Sequence, residues 1–132
     1  MTNPDPAQTA LRILVVDPDD RIRESLSRLL PIGGHCVVIG SAGGAEDAVA
    51  IAATMRPDVV LLDPRLPAMD GGRAIIGCLR EAVPGVRVLV LSRADAADGA
   101  PRTDGADAYI KKTFRSHELI DAVVAAARPT VN

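Results

Sequence analysis

Four short runs of nearly uninterrupted aliphatic residues constrain this chain most: Ile13-Leu14-Val15-Val16, Val37-Val38-Ile39, Val59-Val60-Leu61-Leu62 and Val86-Arg87-Val88-Leu89-Val90-Leu91. A strand with one wet face alternates apolar with polar residues. Most of these runs do not, so they read as strands buried on both sides, the pattern of a parallel sheet covered by helices. A shorter fifth run, Ala108-Tyr109-Ile110, completes the set.

The intervening stretches carry helical periodicity. In the first, Ile22, Leu26, Leu29 and Leu30 share one stripe, which Pro31 and Gly33-Gly34 end. A second helix is predicted from about Ala45 to Met55, ahead of Pro57, and a third from about Gly72 to Glu81, ahead of Pro84-Gly85. A last one, from about Ser116 to Ala127, places Leu119, Ile120, Val123 and Val124 on one stripe, with Ser116 as a reasonable N-cap. Strands alternating with helices at this spacing imply right-handed crossovers and an α/β fold with helices on both faces. The fourth crossover, Asp95 to Gly105, is interrupted by Gly99 and Pro101 and has no large apolar residue, so a short or irregular helix is expected there. The expected organisation is a loose tail over residues 1–10, one domain over 11–128 and a short tail over 129–132.

A length of 132 residues suits a single domain. One Tyr, one Phe and no Trp leave no stacking platform for single-stranded nucleic acid. The net charge of −2 lacks the Lys/Arg excess that holds a phosphate backbone, so direct nucleic-acid binding is not expected. Cys36 and Cys78 lack zinc-ligand spacing and read as buried, reduced thiols. No apolar run is long enough to span a membrane and Met1 to Ala10 has no leader pattern, so a soluble, cytoplasmic protein is expected.

In an open parallel sheet, the loops after the strand ends gather on one edge and build the site. The residues there are Asp17, Asp63, Ser92 and Lys112. Two carboxylates, a hydroxyl and an ammonium are the parts that phosphoryl transfer to a carboxylate needs, together with a divalent cation. The plainer alternatives are a helix cap or turn former for each Asp, an ordinary strand-end hydroxyl for Ser92 and a solvated charge for one of Lys111 and Lys112.

The chain resembles the response-regulator receiver family from Arg12-Ile13-Leu14-Val15-Val16-Asp17, through Pro57-Asp58-Val59-Val60-Leu61-Leu62-Asp63 and Leu66-Pro67-Ala68-Met69-Asp70-Gly71-Gly72, to Gly105-Ala106-Asp107-Ala108-Tyr109-Ile110-Lys111-Lys112. The resemblance implies a flavodoxin-like, doubly wound sheet of five parallel strands in the order 2-1-3-4-5. It further implies that Asp63 accepts a phosphoryl group from a sensor histidine kinase and that Ser92 and Lys112 assist. Mg²⁺ would be held by Asp17, Asp63 and the backbone carbonyl of Arg65. Ser92 and Tyr109 would form the switch, although Tyr109 also reads as an aromatic at the core edge. The domain itself would not be an enzyme; it would act on a downstream protein or output domain, and homodimerisation stays open.

Three departures bear on that reading. Pro18 stands where the family has the second of an acidic pair, which removes a metal ligand, and capping the first helix is the expected duty of Asp19 and Asp20. Arg93 stands where a small residue is usual, and could gate the acceptor or pair with Asp63 or Asp17. The span from Ser92 to Tyr109 is shortened, and Thr113 replaces the usual Pro after the lysine. These features motivate an alternative, a receiver-like interaction module that works without phosphorylation. A remote alternative takes Asp17-Pro18-Asp19 as similar to the DxD motif of haloacid-dehalogenase-type phosphatases, but leaves Asp63 and the Met69-Asp70-Gly71 turn unexplained.

Overall fold

The computed structural model describes residues 10–66, 73–92, 105–113 and 115–127. Five strands, β1 (Leu11–Val16), β2 (Cys36–Ala42), β3 (Val59–Leu62), β4 (Arg87–Ser92) and β5 (Ala108–Lys111), form one sheet in the order β2-β1-β3-β4-β5. Every neighbouring pair is parallel. The helices among the described residues are α1 (Asp20–Leu29), α2 (Ala45–Met55), α3 (Arg73–Ala82) and α4 (Ser116–Ala127). The fold class and strand order expected from the sequence are therefore observed, whereas the irregular helix expected after Asp95 and the turn at Met69-Asp70-Gly71 lie outside the described residues.

The uninterrupted apolar runs make sense because successive residues of each strand serve opposite faces. Ile13, Val15, Val59, Leu61, Leu89 and Leu91 pack on one side against Ile22 and Leu26 of α1 and Leu119, Ile120 and Val123 of α4. Leu14, Val16, Val60, Leu62 and Val88 pack on the other against Ala48 and Ala52 of α2 and Ile75, Ile76 and Leu79 of α3. Each fully buried Leu, Ile or Val contributes about 1.5–3 kcal/mol. A polar residue at any of these positions would open one of the two cores.

Local chemistry sets the helix ends. Asp19 is the N-cap of α1, its side chain accepting from the Arg21 amide at 2.9 Å. Helix α2 ends on Arg56, a non-glycine residue in the left-handed region (φ 50°), whose carbonyl accepts from the Arg12 guanidinium at 2.7 Å. Helix α4 departs slightly from expectation. Ser116 is its first residue rather than its cap, because the carbonyl of Arg115 accepts the first helical bond, from Leu119 at 3.1 Å. Cys36 is buried, and burial raises its thiol pKa, but Cys78 is only partly covered, at the rim of the α3 apolar face beside exposed Gly77. Gly40 marks the one irregularity in the ladder, a register shift between Ile13 and Leu14, and a Cβ there would meet the Ile51 side chain at 3.0 Å. This close approach is what lets α2, with its small Ala48 and Ala52, lie low on the sheet.

Candidate functional site

Three side chains at the strand ends are held by the sheet itself. The residue just past β1, Asp17, donates its amide to the Ala42 carbonyl at 3.0 Å; the residue just past β3, Asp63, donates to Val16 at 2.9 Å; and the residue just past β5, Lys112, donates to Ser92 at 2.7 Å. Each is thus the last rung of a ladder and inherits the position of its strand. Asp17, Asp63 and Lys112 are the buried charged residues among those described, at 1%, 3% and 8% exposure.

Burying carboxylates is costly unless they are paired. Here the Lys112 ammonium donates to Asp17 Oδ2 at 2.9 Å and to Asp63 Oδ2 at 2.7 Å, bridging residues 95 and 49 positions away. Both acids also close a tight turn. Asp17 Oδ1 accepts from the Asp19 amide at 2.8 Å and Asp63 Oδ1 accepts from the Arg65 amide at 2.7 Å. The intervening residue is proline in both cases, Pro18 and Pro64, which has no N–H, so the next available donor is two residues on.

A fourth member comes from Arg65, whose guanidinium forks onto Asp63. Its Nε lies 3.0 Å from Oδ1 and 3.2 Å from Oδ2, and its Nη2 lies 2.9 Å from Oδ2. The same Nη2 stands 3.8 Å from Asp17 Oδ1. Burial pushes the Asp63 carboxyl up, but the Arg65 fork, the Lys112 hydrogen bond, the Arg65 amide and the Lys112 charge outweigh it and hold the group well below the usual carboxylate range. Arg65 in turn is raised, first by its hydrogen bond to Asp63.

The sequence points to an arginine at this site, but at Arg93, which lies outside the described residues. For Arg65 the family resemblance implies a role for the backbone carbonyl alone. The available signal was spacing, since a donor two residues beyond a strand-end Asp, across a proline, turns back on that Asp. Ser92 closes β4 at the same edge: Leu62 of β3 pairs with Val90 of β4, so Asp63 and Ser92 are one and two residues further along adjacent strands. Tyr109 is half-buried on β5, opposite Val90.

The donor set does not fit a Mg²⁺ ion as it stands. Mg²⁺ wants six oxygens in near-octahedral array, water filling the places that one or two free carboxylates and a carbonyl leave open. Pro18 supplies no side-chain oxygen, and the Asp19 carboxylate is engaged in capping α1. Asp20 is paired with Arg23, and both oxygens of Asp17 and of Asp63 already accept hydrogen bonds. Among the described residues, no group of three or more acids, histidines or cysteines is placed to hold a metal.

The profile of the family described as "Response regulator receiver domain" matches residues 13–124. This chain belongs to the response-regulator receiver family. It is 37% identical over 122 residues to the response regulator MprA of Mycolicibacterium vanbaalenii, an alignment covering 91% of this chain and 52% of that protein. It is 35% identical over 121 residues to the positive alginate biosynthesis regulatory protein of Pseudomonas aeruginosa, covering 90% and 48%. Among solved structures, the response regulator domain of Thermotoga maritima CheB superposes with a TM-score of 0.73 at 26% identity, covering 92% of this chain and 99% of that one. The receiver chain therefore spans about half the length of the curated relatives it matches. Nothing in these matches favours the phosphatase alternative. Among the described residues, no helix is long and apolar enough to cross a membrane.

Proposed function

We propose that this receiver takes a phosphoryl group on the Asp63 carboxylate from a sensor histidine kinase. The observation that carries the reading is the Lys112 ammonium, buried and bonded to Asp63 Oδ2 at 2.7 Å, because it offers a fixed positive charge where phosphoryl oxygens would be neutralised. An Asp63 carboxylate oxygen attacks phosphorus, the P–N bond of the phosphohistidine breaks, and the imidazole leaves after taking up a proton. Since both Asp63 oxygens are engaged, the Arg65 fork opens first, and Arg65 is half exposed and free to swing with the new dianion. Ser92 supplies a hydroxyl from the end of β4, and Tyr109 reports the change along β5. The modified edge then alters how the domain meets a downstream protein or an attached output domain in the cytoplasm.

The test is direct. Incubation with acetyl phosphate or a phosphorylated kinase, with and without Mg²⁺, should add one phosphoryl mass to the wild type and none to Asp63→Asn. Saturating donor with no adduct would sink the reading.

One observation favours a second reading, an interaction module that needs no phosphorylation: Lys112 and Arg65 already balance the two acids of the unmodified site. If partner binding by Asp63→Asn matches that of wild type with or without donor, the second reading replaces the first.

A further inference from the structure

We propose that the Arg65 guanidinium is the resident cation of this site, standing between Asp17 and Asp63 where a divalent ion would otherwise sit, so that the unmodified protein needs no metal and admits one only by displacing Arg65. The inference concerns the unmodified chain and stands apart from phosphoryl transfer.

Three observations carry it. A single nitrogen, Nη2, approaches both acids, 2.9 Å from Asp63 Oδ2 and 3.8 Å from Asp17 Oδ1, which is the bridging placement expected of a shared counter-ion. The charges then balance, two carboxylates against one ammonium and one guanidinium. Finally, the position that the family gives to an acid is Pro18, and the nearby carboxylates are committed elsewhere, Asp19 to the backbone amide of Arg21 as the cap of α1 and Asp20 to the Arg23 guanidinium, so among the described residues no third acid is placed with Asp17 and Asp63 to ligate a divalent ion.

The energetics point the same way. A doubly charged ion placed beside a fixed guanidinium is repelled by it, and a pair of acids already served by two cations attracts it weakly. A planar fork matches carboxylate geometry, and its tether of only two residues keeps its effective concentration at Asp63 high. Arg65 is 52% exposed, so the fork is removable without opening the core.

The test is a Mg²⁺ titration of the full chain, without phosphoryl donor, followed by amide shifts at Asp17 and Asp63. Mn²⁺, followed by paramagnetic broadening, serves as a second probe. Wild type and Arg65→Lys, which keeps the charge, should respond weakly at millimolar Mg²⁺. Arg65→Ala should bind at least about tenfold more tightly. Equal affinities in wild type and Arg65→Ala, whether both bind or neither does, would overturn the proposal. Thermal unfolding of the variants, alongside, verifies that each is folded. A wild type that binds Mg²⁺ weakly yet forms the Asp63 adduct satisfies both proposals; one that forms no adduct sinks only the phosphoacceptor reading.

Discussion

The Lys112 ammonium lies 2.7 Å from Asp63 Oδ2 and 2.9 Å from Asp17 Oδ2, so one buried cation from the end of β5 fastens the ends of β1 and β3. Both acids are almost fully buried, and the Lys112 side chain is 1% exposed. Such a bridge is valuable chiefly because its loss leaves charges stranded.

Lys112→Ala should accordingly cost about 3 kcal/mol of unfolding free energy, near the low end for a broken buried pair because Arg65 still serves Asp63. It should also raise the Asp63 pKa, since a hydrogen bond and a positive charge are lost together. Chemical denaturation measures the first effect and an NMR titration of the Asp63 carboxyl the second. Unchanged stability would mean that the bridge contributes nothing net.

Stability should depend on pH through Asp63. Its folded carboxyl lies below the ordinary value of 3.8, so its contribution is complete above that value. The contribution begins to drain as the pH falls toward 3.8, where the unfolded chain takes up the proton more readily, and is lost through the lower folded value. Between neutral pH and about pH 3, Asp63→Asn should lose less stability than the wild type. Urea midpoints at both pH values check this, and parallel slopes would contradict it.

Pro18→Asp restores an acid beside Asp17 and adds a negative charge to a balanced site. Its melting temperature should rise with added Mg²⁺, as expected when a ligand binds only the folded state, while that of the wild type stays nearly flat. A thermal-shift series in Mg²⁺, with Ca²⁺ as a comparison, reads the difference.

Arg56 is the non-glycine residue with positive φ among those described, at the end of α2. Because an L side chain in the left-handed region is strained by roughly 1 kcal/mol, Arg56→Gly should gain up to about that much. Its carbonyl remains available to Arg12, so the β1–α2 tie survives. Equilibrium unfolding would detect the gain; a loss would show that the Arg56 side chain has a role of its own.

The sheet was legible in the sequence because a strand buried on both faces must be apolar throughout, and Val59–Leu62 and Ile13–Val16 satisfy that condition without exception. Strand β2 was read too short, since Gly40, Ser41 and Ala42 look like a turn by composition. They stay in the ladder because β2 is an edge strand whose pairing with β1 skips Ile39 and resumes at Gly40. The convergence of Asp17, Asp63 and Lys112 was legible because residues after parallel strands share one edge. The Arg65 fork was not, because the direction of a flexible side chain depends on which charges lie within reach, and periodicity carries no such information. Nor did the sequence reveal that Pro18 and Pro64 leave each neighbouring acid to bind the next amide in the same way.

The bond from the Lys112 amide to the Ser92 carbonyl, 2.7 Å long, gives the charged cluster mechanical leverage. Ser92 is where the polypeptide leaves β4 and Lys112 is where it has just left β5. A tug on the ammonium, from whatever comes to rest beside Asp63, is therefore delivered to the C-terminal ends of both strands, and through Ser92 to the start of the segment that joins them. Electrostatic load at the rim becomes tension along the backbone, with no side chain needed in between.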